Sequence, residues 1–410
     1  MNALLQRLRP RIDGPMFIAI LALVAIGVVM VGASSAIVAD SGNGDSLYFL
    51  KRQALFAVVG SAALVLAASI DTAWLERRAG PLAILSLVLL VLVLVPGIGH
   101  VAGGSRRWFQ LGPISVQAGE IAKLAVVMYL AAQLARRAAA APSIDARVRA
   151  PKHVGLLRLF LLPGAAMLLL LVEPDFGTAV LLAAITFVML FVGGARVGPL
   201  LGVAALAVPL ALVAIGTSEY RTRRVLAFLD PWSHRYDIGY QITESLMTVG
   251  SGGLFGLGLG ESRQKLFFLP AAHTDFIFSI IGEELGFVGV LLVTGCFAVI
   301  ATRAWLAASR SANVFSSLLI VGLGSLLVLQ AVFNVAVTLG LVPTKGITLP
   351  FVSYGGSSLV MSMAIAGVLL RATAEALRQP SDAATRDDGG RRPITAVRKL
   401  PTFSTTREAQ

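Results

Sequence analysis

The chain has 410 residues, of which 56% are hydrophobic and only 14% are charged. This composition excludes an ordinary soluble domain and is typical of a polytopic membrane protein. The formal net charge of +12 would suit nucleic acid, but most arginines lie in short loops and in the C-terminal segment, as the positive-inside rule expects. We therefore predict no nucleic-acid partner. The single cysteine, Cys296, excludes an intrachain disulfide.

Ten apolar segments are long enough to cross a bilayer. The first follows a short N-terminal stretch, 1–14, and is too long for a usual signal peptide, so we predict an uncleaved helix. Glu173-Pro174-Asp175 separates the fifth segment from the sixth, because proline ends a helix and acids are costly in lipid. The predicted spans are 15–38, 50–70, 80–99, 117–135, 156–172, 176–194, 197–217, 276–301, 314–340 and 352–374.

The distribution of Lys and Arg places both termini in the cytoplasm. We predict an all-α membrane domain over 15–376, with a large periplasmic loop, 218–275, between the seventh and eighth helices and a disordered basic tail over 377–410. Two outer segments, 100–116 and 218–275, retain arginines against the charge rule, which suggests an anionic ligand. For the longer one a second reading stays open, because long loops are translocated whatever their charge.

The first candidate site lies in 100–124. Arg106 and Arg107 precede Trp108, and guanidinium groups match phosphate oxygens in paired geometry. Glu120 and Lys123 follow one turn apart on the next helix. They belong to a ligand site or form an ion pair that neutralises itself inside the membrane, and both alternatives stay open.

A glycine-rich stretch follows in the long outer segment, with six glycines in 250–260. Such glycines could present backbone amides to an anion. No Gly-Lys-Ser/Thr ends the stretch, so it is not a phosphate-binding P-loop. On the glycines alone, we favour a flexible or re-entrant loop.

His273, Thr274 and Asp275 stand at the outer mouth of the eighth predicted span. A carboxylate near apolar surface has a raised pKa, which suits a general base. The alternative for Thr274 and Asp275 is helix capping. His273 suits a positioning or packing role better than a metal site, since no second His or Cys is near. Glu283 and Glu284 lie about two turns deeper and are expected to hydrogen-bond within the bundle.

The last outer segment contains Lys345 between two prolines, and small residues, including Ser353 and Ser357, open the final span. An anionic ligand would explain an outer lysine. Small residues allow close helix packing, and they also leave room and hydroxyl groups for a ligand.

Five stretches in this order carry a resemblance to a known family: GSRRW…EIAKL, EPDFGTA, GYQITESL…GSGGLFGLGLGESRQK, LPAAHTDFIFSIIGEELG and LVPTKGITLPFVSYGGSS. Together they resemble the SEDS family (shape, elongation, division and sporulation) over about residues 15–376, and the last stretch is most similar to its cell-division branch. The resemblance implies ten transmembrane helices and a peptidoglycan glycosyltransferase. Such an enzyme polymerises lipid II at the division septum of the bacterial inner membrane, with inversion and undecaprenyl diphosphate as leaving group.

The resemblance also implies roles for single residues. Asp275 matches the family's essential acid and is the predicted catalytic base. The chain departs from the family at Ala271, where the family has Glu, and at Ala118-Gly119, where it has Pro-Ser, so no role for that Glu is transferred. The predicted substrate-binding residues are Arg106, Arg107, Glu120, Lys123, Gln241, His273, Lys345, Ser353 and Ser357.

The family implies several partners: lipid II, the lipid-linked glycan strand, membrane lipids, a class B penicillin-binding transpeptidase and other divisome membrane proteins. The sequence shows no dedicated metal cage, although a divalent cation, Mg²⁺ or Mn²⁺, would help to neutralise a diphosphate. Two other functions stay open. A lipid II flippase would predict inverted repeats with broken helices near the midplane, and a non-catalytic divisome scaffold would not need Asp275.

Overall fold

A computed structural model describes residues 12–102, 104–112, 114–140, 154–195, 197–216, 219–262, 272–344 and 346–378. Lys345, Ala271, most of the N-terminal stretch and the predicted tail from residue 379 onward lie outside the described residues. Each predicted apolar segment overlaps one helix. The helices are α1 (Gly14–Asn43), α2 (Tyr48–Ala68), α3 (Thr72–Leu94), α4 (Ala118–Ala139), α5 (Val154–Val172), α6 (Phe176–Val192), α7 (Val197–Gly216), α8 (Glu219–Leu229), α9 (Tyr240–Ser251), α10 (Ile277–Arg310), α11 (Val314–Thr338) and α12 (Gly356–Arg378).

Within the described residues, seven helices are long and apolar enough to cross a membrane: α1, α2, α3, α4, α10, α11 and α12. The described part of α5 and the whole of α6 are shorter apolar helices. The most hydrophobic stretches of α4 and α12 are 78% buried, whereas those of α2 and α3 are 22% and 28% buried. The chain therefore has a polytopic membrane fold in which α4 and α12 are central and α2 and α3 turn apolar side chains toward lipid.

The segment between α3 and α4 corrects the all-α expectation. It forms a three-stranded antiparallel sheet of β1 (Gly99–Ala102), β2 (Ser105–Leu111) and β3 (Ile114–Gln117). Gly104 and Gly112 have φ of 77° and 61°, values that glycine adopts without a steric penalty, so each allows a tight reversal between strands. The sheet places the Arg106-Arg107 pair on its central strand.

The long outer segment is partly helical, since it contains α8 and α9. Two buried hydrogen bonds dock α9 on the bundle. Ser245 Oγ lies 2.6 Å from Ser279 Oγ of α10 and donates to Thr338 O of α11 at 2.7 Å. The segment therefore contributes ordered structure at the outer end of α10 and α11.

The glycine-rich stretch enters a break in α10. Gly286 has φ 66° and ψ −161°, which interrupts the helix nine residues after it begins, about 14 Å along its axis. In the glycine-rich stretch, Leu254 and Phe255 are 66% and 81% exposed. Exposed apolar side chains on a segment whose backbone groups are hydrogen-bonded suit contact with lipid, which agrees with the re-entrant interpretation. Four backbone bonds join the two: Leu257 N to Glu283 O (2.9 Å), Gly258 N to Glu284 O (3.1 Å), Phe287 N to Gly253 O (3.0 Å) and Val288 N to Leu254 O (3.2 Å).

The two glutamates of α10 are buried beside this break. The Glu283 carboxylate accepts a hydrogen bond from Ser262 Oγ, and the backbone carbonyls of both glutamates accept from the glycine-rich stretch. The expectation of a hydrogen-bonded side chain is confirmed for Glu283, although its partner lies in the long outer segment and not in a helix of the bundle.

Candidate active site

Asp275 lies in a turn, 272–276, directly before α10. The helix begins at Ile277, with Phe276 as its N-cap and no side-chain capping bond. The alternative that Thr274 or Asp275 caps this helix is therefore wrong. No described residue donates a hydrogen bond to the Asp275 carboxylate, which is half-buried.

Asn334 of α11 ties this turn to the loop that precedes α12. Its Nδ2 donates to Asp275 O at 2.8 Å and to Ile347 O at 2.7 Å. Asn334 is 1% exposed, so neither bond competes with water. The backbone that carries the carboxylate is thus held by a buried amide from a neighbouring helix.

The loop before α12 makes two further bonds to the same turn. Ser353 Oγ donates to Thr274 O at 2.6 Å while accepting from Leu349 N at 2.8 Å. Tyr354 N donates to His273 O at 2.9 Å. The hydroxyl of Ser353, a predicted substrate-binding residue, is therefore hydrogen-bonded to the turn and to the loop, and it holds the turn in place.

The surroundings of the Asp275 side chain suit a base. Burial raises its pKa to about 6, although the positive charges of Arg107 and Arg224 act to lower it. A Cβ at Gly346 would lie 3.1 Å from Asp275 Oδ2, so glycine leaves room beside the carboxylate. Arg224 is anchored at Thr344 O, 2.9 Å from its Nη1. A carboxylate with this pKa is largely ionised at neutral pH and can accept a proton.

Arg107 links this carboxylate to the corner between α5 and α6. Its Nη1 lies 3.8 Å from Asp175 Oδ1, and its buried Nε has no hydrogen-bond partner among the described residues. Asp175 caps α6 by accepting from Thr178 N at 3.2 Å and also accepts from Gln117 Nε2 at 2.8 Å. Asp175 is therefore the N-cap of α6, and it additionally holds Arg107 near the turn by charge.

Glu173, in the same corner, is fully buried. Neither carboxyl oxygen has a hydrogen-bond partner in the described part of the chain. Burial and the negative charge of Asp175 raise the pKa of Glu173 to about 8, while Arg107 acts to lower it. The side chain is therefore mostly protonated at neutral pH and adds no negative charge beside Arg107.

Arg106 points elsewhere, because successive side chains on a strand face opposite sides. Its Nη1 donates to Leu94 O at the end of α3, at 3.2 Å. Arg106 is not among the charges that act on Asp275. Its role toward an anionic ligand stays a prediction.

Glu120 and Lys123 form a buried ion pair on α4, with Lys123 Nζ 2.9 Å from Glu120 Oε1. Lys123 also donates to Gln330 Oε1 at 2.7 Å, and Gln330 Nε2 donates to Thr348 O at 3.0 Å. This network joins α4, α11 and the loop before α12. The structure therefore shows the self-neutralising pair, and direct substrate contact by either residue stays a prediction.

The remaining predicted residues are distributed around the site. Gln241 is half-buried on the first turn of α9. Ser357 is buried near the start of α12, and its Oγ has no partner among the described residues. His273 packs against the rings of Phe49 and Tyr354.

Two residues near the turn were missed by sequence reasoning: Asn334 and Gln330. They lie four residues apart on one face of the mostly apolar α11. Polar side chains inside a membrane helix are functional candidates by default, so this spacing was a usable signal. Arg224 is one of the arginines that 218–275 retains against the charge rule, but the sequence did not distinguish it from its neighbours.

Two apolar grooves lie away from the turn, along α10 and α11, with volumes of about 660 and 340 Å³. No ionisable side chain among the described residues lines either groove, and the described lining suits hydrocarbon better than reaction chemistry. In the described segments no group of three or more His, Cys, Asp or Glu side chains could hold a metal ion. The divalent cation stays a prediction.

Comparison with known proteins agrees with this geometry. The family model FtsW/RodA/SpoVE, described as "Cell cycle protein", matches residues 15–377. The probable peptidoglycan glycosyltransferase FtsW of Thioalkalivibrio sulfidiphilus is 44% identical over 389 residues, covering 94% of this chain and 95% of the relative. The corresponding protein of Coxiella burnetii is 40% identical over 363 residues, covering 88% and 95%.

Two solved structures share the fold. One comes from a peptidoglycan synthase complex studied for the coordination of polymerization and crosslinking, with TM-score 0.73, 32% identity and coverage of 90% of this chain and 99% of that chain. The other is the rod shape determining protein RodA of Thermus thermophilus, with TM-score 0.64, 31% identity and coverage of 88% and 97%. The chain belongs to the FtsW, RodA and SpoVE family of cell cycle proteins.

Proposed function

We propose that the protein is a peptidoglycan glycosyltransferase that polymerises lipid II into glycan strands for septal cell-wall synthesis. The observation that carries this proposal is the Asp275 carboxylate, which is free of hydrogen bonds from the described residues, has a pKa of about 6 and lies in the field of Arg107 and Arg224. Such a site combines a base with cations that match a diphosphate. The relatives named as peptidoglycan glycosyltransferases support the same conclusion.

In this mechanism Asp275 takes the proton from a hydroxyl group of the acceptor sugar. The acceptor oxygen then forms a bond to the anomeric carbon of the donor, and the bond from that carbon to the diphosphate oxygen breaks. The α-linked donor becomes a β-linked product because attack comes from the face opposite the leaving group. Arg107 and Lys345 would stabilise the charge that develops on the diphosphate, and Arg106 would join them only by leaving its bond to Leu94 O. No general acid is needed, because the diphosphate leaves as an anion.

A divalent cation, Mg²⁺ or Mn²⁺, would add positive charge at that diphosphate. Asp175, Glu173 and Asp275 are the nearby carboxyl groups, but they do not form a protein cage. The cation would therefore be held mainly by the diphosphate itself.

For the topology, we infer ten crossings with both termini in the cytoplasm and the Asp275 turn on the periplasmic side of a bacterial inner membrane. The helices that overlap all ten predicted segments and the distribution of Lys and Arg support this arrangement. The similarity to a chain from a complex that coordinates polymerization and crosslinking supports a class B penicillin-binding transpeptidase as partner, together with other divisome membrane proteins.

Transport of lipid II is the second candidate function, because α10 is a broken helix and broken helices are typical of transporters. In those proteins the break lines a substrate cavity. Here the backbone groups on either side of Gly286, in Glu283, Glu284, Phe287 and Val288, are bonded to the glycine-rich stretch. The break therefore serves packing, and it does not favour transport over transfer.

The experiment that tests the function is polymerisation of purified lipid II by the full chain, alone and with its cognate transpeptidase, in proteoliposomes. We expect glycan polymer that a muramidase digests. Absence of polymer together with movement of fluorescent lipid II across the same vesicles would establish transport in place of transfer.

The pKa of Asp275 predicts the pH dependence of the rate. The base must be ionised in the free enzyme, so kcat/KM for lipid II should rise with pH through about 6 and level off above it. Arg107→Gln removes a charge that lowers this pKa, so the rising limb should move to higher pH, beyond any general loss of activity. The pH profiles of kcat/KM of both proteins, recorded at lipid II concentrations well below saturation, provide the measurement. A limb that stays in place, or moves to lower pH, would exclude Asp275 as the titrating group.

A further inference from the structure

Aromatic side chains gather beside the Asp275 turn at the outer end of α2. Phe49 lies 4.7 Å from the ring of His273 and 5.0 Å from the ring of Tyr354, and His273 lies 5.6 Å from Tyr354. Tyr48 meets Phe49 edge-on at 5.2 Å. These four rings, Tyr48, Phe49, His273 and Tyr354, are called the aromatic cluster below. The cluster brings together the first turn of α2, the turn before α10 and the loop before α12.

Arg52 adds a cation to the aromatic cluster. Its Nη1 donates to Tyr48 Oη at 2.8 Å, and its guanidinium lies 5.6 Å from the Tyr48 ring and 5.8 Å from the Phe56 ring. This arrangement fixes the orientation of the Tyr48 ring. The four rings and Arg52 are all half-buried, so each keeps part of its surface accessible.

The cluster and the cations of the site meet the same turn from different elements. His273 faces Phe49 of α2 and Tyr354, whereas the Asp275 carboxylate is influenced by Arg107 of β2 and Arg224 of α8. Only one residue separates His273 from Asp275. A ligand at the carboxylate would therefore have cations at one of its ends and aromatic rings near the other.

The Tyr48 hydroxyl is bonded to Arg52, but two other polar groups of the cluster have no such bond. No described residue forms a hydrogen bond with the His273 imidazole or the Tyr354 hydroxyl, and both side chains are half-buried. Burial lowers the pKa of His273 and raises the pKa of Tyr354. Both groups are therefore neutral at neutral pH and can donate and accept hydrogen bonds. Pure packing would not require two polar aromatic residues here.

We propose that the aromatic cluster is a carbohydrate subsite that holds the acceptor sugar whose hydroxyl group Asp275 deprotonates. The flat faces of aromatic rings cover the apolar C–H face of a pyranose, and the polar tips of His273 and Tyr354 fit its hydroxyl and acetamido groups. The acceptor is favoured over the donor, because the donor's reacting end is the diphosphate and the cations suit that group. This assignment rests on the proposed glycosyl transfer.

The test uses the full chain in detergent and two conservative variants. Phe49→Leu keeps apolar volume but removes a ring face, and Tyr354→Phe removes only a hydroxyl. Phe191→Leu, a 59% exposed ring at the end of α6, is the matched control. The probe is a lipid-free β-1,4-linked tetrasaccharide of N-acetylglucosamine and N-acetylmuramic acid, detected by saturation-transfer NMR. Each variant is also assayed for polymerisation at several lipid II concentrations.

We expect the tetrasaccharide signal with wild type, Phe191→Leu and Asp275→Asn, and its loss with Phe49→Leu and Tyr354→Phe. The lipid II concentration for half-maximal rate should rise about tenfold in those two variants, with a smaller change in maximal rate. If the wild-type protein binds the tetrasaccharide but does not polymerise lipid II, the proposed function is wrong and the carbohydrate subsite is still supported. Absence of probe binding by wild type, or equal binding and equal half-saturation in Phe49→Leu, would overturn the subsite. If the two variants show only a lower maximal rate together with lower thermal stability, the aromatic cluster has a packing role and the subsite proposal is wrong.

Discussion

Asp275→Asn is expected to lower the rate of glycan polymerisation by about 10²- to 10⁴-fold, the range that a positioned general base contributes. The substitution preserves shape but removes the proton acceptor. The bond from Asn334 to the Asp275 carbonyl involves the backbone, so the turn should keep its conformation. Polymerisation from purified lipid II, with the cognate transpeptidase present, is the measurement.

Asp237→Asn is the matched control for this result. Asp237 lies in the same outer segment, its side chain is 60% exposed, and it pairs with Arg223 at the surface. Exposed ion pairs contribute little, so this variant should polymerise like wild type. An Asp275→Asn protein that retains more than about a tenth of the wild-type rate would fall outside the expected range and would remove Asp275 as the base. In that case the scaffold function would become the stronger explanation.

Lys123→Met is expected to destabilise the bundle by about 3–5 kcal/mol, the usual cost of leaving one member of a buried ion pair without its partner. The side chains of Lys123 and Glu120 are only 3% and 7% exposed, and Glu120 Oε2 already has no hydrogen-bond partner among the described residues. Lys123→Met therefore leaves a carboxylate in a low-dielectric interior. Thermal unfolding of the purified protein in detergent is the measurement.

The double variant Glu120→Gln/Lys123→Met separates the two roles of this pair. Removing both charges should recover most of the lost stability, because replacing both members of a buried pair is often neutral. A stable double variant that polymerises normally would make the pair structural. A stable double variant without activity would place the pair at the substrate. If the double variant is less stable than the single variant, the ion-pair account itself is wrong.

Local patterns predicted the helices well, because a membrane helix satisfies its own backbone and needs only a long apolar run. The N-cap at Asp175 is likewise a local feature, since the bond from Thr178 N spans three residues. The sheet at 99–117 was missed, because its short strands lie between helices and carry only a weak apolar pattern. The break at Gly286 was missed as well, since it depends on partners supplied by the glycine-rich stretch.

The sequence predicted some residues of the site but not how they are arranged. Family motifs identified Asp275, and charge against the positive-inside rule identified Arg107. Which polar groups meet was decided by tertiary structure: Asn334 reaches Asp275 across 59 residues, and Lys123 reaches Gln330 across 207. Burial raises the pKa of Asp275, and burial is a property of all the surrounding elements together. Residue type and spacing thus determine the helices and the candidate chemistry, while packing of distant segments sets the charge state and position of the base.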